Sequence, residues 1–160
     1  MRVGLTGHQR LSLSTRRTIT SSIAGILTEQ SDENLVGITS LAEGADQLFA
    51  FTVLATGGRL HAIIPSSDYE SSFQDDQAAR ANYTALCGLA NDITTLPFAK
   101  PGEDAYLAAG KAVVDNCDLL IAVWDGKPAV GRGGTGDIVR YANERSVDVK
   151  VIWPRGAQRI

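Results

Sequence analysis

The sequence predicts an α/β domain built on a doubly wound, mostly parallel sheet of about six strands with helices on both faces. Two observations predict it. Short β-branched runs alternate with one-faced helical segments along the whole 160 residues, and such alternation buries the strands of a parallel sheet on both sides. Each apolar run is also bounded by Gly, Pro, Asp or Ser, the residues that turn the chain. Residues 1–160 are read as one domain, a length sufficient to bury a core.

The elements follow in order. Arg2–Leu5 is the first strand, and Ile19, Ile23, Ile26 and Leu27 recur at helical spacing in a helix that starts near Ser12. Leu35–Thr39 is the second strand, followed by a helix whose inner face carries Ala45, Leu48, Phe49 and Thr52. Leu60–Ile64 is the third, and Phe73, Ala81 and Leu86 suggest a looser helix after it. Asp92–Leu96 and the helical positions Tyr106, Ala109, Val113 and Val114 come next. Leu119–Trp124, a last helix with Ile138, Val139 and Ala142, and Val149–Trp153 complete the chain. Right-handed crossovers favour an open doubly wound sheet, whose strand order the sequence does not show. In such sheets ligands bind outside the carboxyl ends of the strands, near the point where the strand order reverses.

Composition narrows the function classes. Hydrophobic residues make up 44% and charged residues 21%, near the average for globular proteins. The longest apolar run, Leu119–Trp124, is far shorter than the ~20 residues that span a bilayer, and no signal-peptide pattern opens the chain. A cytoplasmic protein without a membrane partner is expected. Cys87, Cys117, His8 and His61 show no metal-ligand spacing, so neither a metal nor another cofactor is expected. The net charge of −3 argues against broad attraction to a nucleic-acid backbone, and nucleic acid is not expected as a partner. Any anion must then be held locally.

Four connections at the expected carboxyl edge carry unusual residues. After the first strand, Thr6-Gly7-His8-Gln9-Arg10 combines a Gly turn with an arginine able to pair with phosphate or carboxylate, although a Gly turn there is also an ordinary connection. After the second, Ser40 and Glu43 fit a capping box, and Asp46 suits the positive end of a helix dipole. Gly44 inside that helix start costs about 1 kcal/mol relative to alanine, which calls for close approach of a ligand or strand. After the third, Tyr69 either stacks on a base or packs against Phe73 at i,i+4. The strongest signal follows the fifth strand: Asp125 to Asp137 holds five glycines with Lys127 and Arg132 and leads directly into a helix. Such a loop can turn consecutive N–H groups toward one anion at a helix N-terminus. A Walker loop and a GxGxxG turn are both missing, which disfavours conventional NTP hydrolysis and hydride transfer.

Together these residues resemble the SMF/DprA–LOG superfamily of DNA-processing proteins, phosphoribohydrolases and stand-alone nucleotide-sensing domains. The resemblance rests on Gly4-Leu5-Thr6-Gly7-His8, on Thr39 to Asp46 and on Gly133-Gly134-Thr135. It implies a Rossmann-like fold, a small-molecule nucleotide or phosphate ligand and a homo-oligomer. In the phosphoribohydrolase pattern PGGxGTxxE, Gly134-Thr135 match the Gly-Thr pair, while the catalytic glutamate falls on Ile138 and the proline is absent. The first expectation is therefore a binding or sensing module. In it Thr6, Gly7, Arg10, Gly133, Gly134 and Thr135 hold phosphate, Glu43, Asp46 or Asp125 reads ribose, and Trp124 or Tyr69 flanks the base. His8, Ser40, Gly44 and Arg132 complete the ligand-binding set. The alternative is a nucleoside 5′-monophosphate N-ribosyl hydrolase or transferase with Glu43 and Asp137 as catalytic carboxylates.

Overall fold

The computed structural model describes residues 1–30 and 33–160. In chain order the elements are β1 (Arg2–Gly7), α1 (Leu13–Glu29), β2 (Val36–Thr39), α2 (Ala45–Ala55), β3 (Arg59–Ile64), a 3₁₀ turn (Tyr69–Phe73), α3 (Gln77–Leu89), β4 (Asp92–Thr95), α4 (Glu103–Asp115), β5 (Leu119–Val123), α5 (Thr135–Glu144) and β6 (Asp148–Ile152). Every expected strand is present, displaced by two residues at most. Among the described residues the six strands form one sheet in the order β4-β3-β2-β1-β5-β6. All adjacent pairs are parallel, so the sheet is parallel throughout.

This order sets the position of the site. The chain steps outward from β1 to β4, then returns to lay β5 on the other side of β1. The order therefore reverses between β1 and β5, where Gly7 stands opposite Val123 at the carboxyl ends.

Period-two alternation assigns the faces. Leu119, Ile121 and Val123 of β5 pack with Ile19, Ile23 and Leu27 of α1 and Phe49 of α2, whereas Leu120 packs with Val113 of α4 and Ile138 of α5. Leu60, Ala62 and Ile64 of β3 pack under Leu86 of α3. Helices α1, α2 and α3 thus cover one face, and α4 and α5 the other. Ile19, Ile23 and Leu27 are at most 1% exposed, and burial of each stabilises the fold by roughly 1.5–3 kcal/mol.

The helix starts show how local chemistry places the loops. Ser12 caps α1 by accepting from Thr15 N–H at 3.3 Å, as its position suggested. The looser helix after β3 resolves into the 3₁₀ turn and α3, which begins where Asp76 accepts from Ala79 N–H at 2.9 Å. The capping box expected of Ser40 and Glu43 does not form, because α2 begins only at Ala45, with Gly44 as N-cap and no side-chain cap. Gly44 has φ +86° and an added Cβ would lie 1.9 Å from Gln9 O. The chain has to pass under the β1–α1 loop, tied by Ala45 N–H to His8 O at 3.2 Å, before the helix can start. That crossing of two backbones is the reason for the glycine.

Candidate ligand-binding site

A cleft of about 550 Å³ opens over the carboxyl ends of the strands at the reversal point. Its walls come from the β1–α1 loop, the β2–α2 loop, the connection after β3, the first turns of α4 and the β5–α5 loop. Of the residues singled out from the sequence, Thr6, Gly7, His8, Ser40, Glu43, Asp46, Tyr69, Arg132, Gly133, Gly134 and Thr135 line it. Arg10 is exposed and lies outside the lining, as do Lys127, Trp124, Asp125, Asp137 and Gly44.

The β2–α2 loop forms the floor. Leu41 has φ +58° and is fully buried, a conformation that strains a non-glycine residue. The loop is held by Leu41 N–H to Thr39 Oγ1 at 3.2 Å and Ala42 N–H to Asp46 Oδ2 at 3.3 Å. Asp46 is 7% exposed. Burial pushes its carboxyl up to about 6, against the opposing hydrogen bonds from Thr39, Ala42 and Ser40. A buried carboxyl raised in this way beside a cleft is a candidate functional group on physical grounds. Glu43 is spent more weakly, 3.5 Å from Arg16.

The β5–α5 loop forms the opposite wall. Gly133 has φ +83°, and an added Cβ would lie 2.6 Å from Leu107 N, so this glycine lets the loop lie against α4. The loop does not present a continuous row of bare amides. Gly133 N–H donates to Asp137 Oδ2 at 3.0 Å and Gly134 N–H to Gly131 O at 3.3 Å. What remains toward the cleft is the start of α5, whose N-cap Gly134 provides no side-chain cap, with the buried Thr135 beside it. A helix start leaves its first N–H groups without intrahelical acceptors and carries partial positive charge. Asp137, with its other oxygen 2.9 Å from Arg140, supports the loop from outside the cleft.

The third wall is aromatic. Tyr69 meets Phe73, Tyr83 and Tyr106 edge-on at centroid distances of 5.2, 5.5 and 6.5 Å. The packing alternative for Tyr69 is thus realised, while Tyr69, Phe73 and Tyr106 still border the cleft. Burial raises the Tyr69 phenol well above its usual range, so it stays neutral.

Behind the β1–α1 loop a charged cluster joins three segments. Asp125 N–H donates to His8 Nε2 at 3.2 Å, and the His8 ring stands edge-on to Trp153 at 5.2 Å. Arg159, which lines the cleft from the segment after β6, places Nε 2.5 Å and Nη2 2.7 Å from the two Asp125 oxygens. Burial raises the Asp125 carboxyl, yet the Arg159 hydrogen bond, Lys127 N–H and the neighbouring charges outweigh it and hold the group at about 2. Burial and then Arg159 push His8 below its usual 6.5. It is therefore neutral at pH 7, with Nε2 able to accept and the proton assigned to Nδ1. Arg159, Tyr106, Glu103 and Asp76 all line the cleft without having been singled out in the sequence. Tyr106 read as a core position, and Arg159 is one arginine in a polar segment without a motif.

No protein-family model and no curated protein matches this chain. Solved structures do. DNA processing protein A (DprA) from Streptococcus pneumoniae superposes with a TM-score of 0.71 at 22% identity, over 97% of this chain and 51% of that one. DprA from Helicobacter pylori gives 0.70 at 18% identity over 99% and 68%, and the structural-genomics target TM1055 gives 0.61 at 14% over 99% and 76%. The chain spans about half the length of the Streptococcus protein. At these identities the likeness shows the fold, and it bears out the Rossmann-like architecture implied by the DprA–LOG resemblance. It also corrects one expectation. The Helicobacter protein, on this fold, binds single-stranded DNA, so nucleic acid is not to be set aside as a partner. Net charge averages over the whole surface and does not measure a local binding face. Among the described residues no helix is long and apolar enough to cross a membrane.

Proposed function

We propose that this chain binds a nucleotide, or another phosphate-bearing nucleotide derivative, in the cleft over β1 and β5 as a binding or sensing module. One observation carries the reading: a single space of about 550 Å³ is bordered by the uncapped start of α5 with Thr135, the Gly7 turn, the buried Asp46 and the aromatic wall of Tyr69 and Tyr106. Each suits one part of such a ligand. The helix start suits phosphate, a buried carboxylate suits ribose hydroxyls, and the rings offer a flat apolar surface to a base. The cleft volume lies within the range of small-ligand sites.

A single strand of nucleic acid presents the same sugar, phosphate and base groups, and the fold shared with the Helicobacter protein places a short single-stranded oligonucleotide among the ligands to test. The hydrolytic alternative has less support. With Glu43 and Asp137 as its carboxylates it loses one of the two, because Asp137 is occupied by Gly133 N–H and Arg140 outside the cleft.

Thermal unfolding with nucleoside mono-, di- and triphosphates, and fluorescence anisotropy with a labelled oligonucleotide, test the reading. A ligand at a hundred times its Kd stabilises the folded chain by about 2.7 kcal/mol. Thr135→Val keeps the shape of that buried side chain while deleting its hydroxyl, and should weaken the response. It is a cleaner probe than a side chain at Gly134, whose Cβ would press on Ala129 Cβ at 2.9 Å with no ligand present. No response to any member of the panel, or a full response in Thr135→Val, would sink the assignment.

A further inference from the structure

We infer that Arg159 is the cationic contact for the ligand's anionic group, brought into the cleft by the segment after β6 and positioned there by Asp125. The inference rests on the binding reading above and names the residue that sets its preference for phosphorylated over unphosphorylated ligands.

The charges bordering the cleft make such a contact necessary. Four carboxylates line it, those of Glu43, Asp46, Asp76 and Glu103, against two guanidinium groups, Arg132 and Arg159. An anion approaching the start of α5 meets net repulsion unless one of the arginines turns to it. Arg132 is the weaker candidate. Its side chain is 61% exposed, and Nη1 lies 2.5 Å from Asp104, itself 71% exposed, where water screens the charge. The Arg159 side chain is 28% exposed; Asp125 offsets much of its charge, and what it brings to a phosphate is a fixed, charge-assisted N–H donor in drier surroundings.

The geometry leaves part of Arg159 free for this task. The guanidinium is a rigid fork of five N–H donors. Nη2 donates to Asp125 Oδ1 at 2.7 Å, Nε lies 2.5 Å from Oδ2 as an ion pair without hydrogen-bond geometry, and Nη1 takes no part in that contact. Asp125 is 7% exposed and is itself fixed by Lys127 N–H at 2.9 Å, with His8 Nε2 3.4 Å away. Such a carboxylate holds the planar fork in one orientation, so little side-chain entropy remains to be lost when the free edge meets a phosphate oxygen. Asp125 is thus a positioning residue, and its place behind Arg159 accounts for its absence from the cleft lining.

Isothermal titration of the full chain with adenosine 5′-monophosphate and with adenosine separates this role from that of a structural tie. In Arg159→Gln the affinity for the monophosphate should fall tenfold or more while that for adenosine is unchanged. Arg155→Gln alters an exposed arginine of the same segment that does not line the cleft, and should change neither. Where Arg159→Gln fails to fold, Arg159→Lys keeps the charge without the fork, and a fall of about threefold for the monophosphate alone is expected. Equal losses for both ligands, or no loss for either, overturn the inference while leaving the binding reading intact. A wild-type chain that does not bind the monophosphate overturns it too, and the wider ligand panel then decides whether the binding reading falls with it.

Discussion

Replacing Asp46 by asparagine should change how the stability of this protein depends on pH. Asp46 is 7% exposed, and burial raises its carboxyl from 3.8 to about 6 against the hydrogen bonds of Thr39, Ala42 and Ser40. Between those two values the folded chain keeps a proton that the unfolded chain has released, so stability falls as pH rises through that window and levels off above it. At 1.36 kcal/mol per unit, this displacement costs the wild type roughly 3 kcal/mol at neutral pH. Asparagine carries no charge at any pH in the window. It does bring a constant penalty of its own, because its N–H₂ turns toward backbone donors, and a comparison at two pH values cancels that penalty. Urea unfolding of both chains at pH 4 and pH 7.5 should show the difference between them moving by roughly 2–3 kcal/mol in favour of the variant as pH rises. A difference that is the same at both pH values would show that Asp46 ionises like an exposed carboxylate, and the account of the cleft floor would fail.

Gly44→Ala should destabilise the fold by roughly 2–5 kcal/mol in urea, combining the left-handed backbone cost with a backbone clash that no rotamer relieves; a loss below about 1 kcal/mol would mean that the two loops do not cross there. Asp125 is held at about 2, below its unfolded value, so its contribution is present above pH 4 and disappears as pH falls toward 2. Asp125→Asn should therefore cost about 1–2 kcal/mol at pH 7, after allowance for solvent screening of its partly exposed partner Arg159, and distinctly less at pH 3; denaturant titration at both pH values checks this. Asp137→Ala strips Gly133 N–H of its acceptor and should lower stability by about 1 kcal/mol, measurable as a lower Tm. An unaltered Tm would show that this contact contributes nothing to the loop.

The strands and helix faces were legible because they depend on local pattern. Leu119 to Val123 are all buried, as expected of a strand covered on both sides, and Ile19, Ile23 and Leu27 fall on one helical face at the spacing the sequence shows. Gly44 and Tyr69 were legible as unusual but not in their reasons. The cost of a glycine at a helix start says that something approaches closely, whereas only the fold shows that it is the Gln9 carbonyl. Tyr69 packs against Phe73 as the spacing allowed, but Tyr83 and Tyr106 arrive from α3 and α4. The glycines of the β5–α5 loop suggested several free amides, and the structure engages two of them within the loop and its following helix.

By itself, then, the sequence determined the alternation of strands and helices, their inward faces and the edge of the sheet where the unusual loops would gather. These follow from periodicity and turn chemistry, which act over a few neighbouring residues. The tertiary structure alone decided the strand order, the placing of Asp125 behind rather than in the cleft, and the entry of Arg159 beside His8. The contact between Arg159 and Asp125 joins residues 34 apart in the chain, and the tie between His8 and Asp125 joins residues 117 apart. Ion pairing and burial at such separations depend on which strands lie side by side, and no local pattern carries that information.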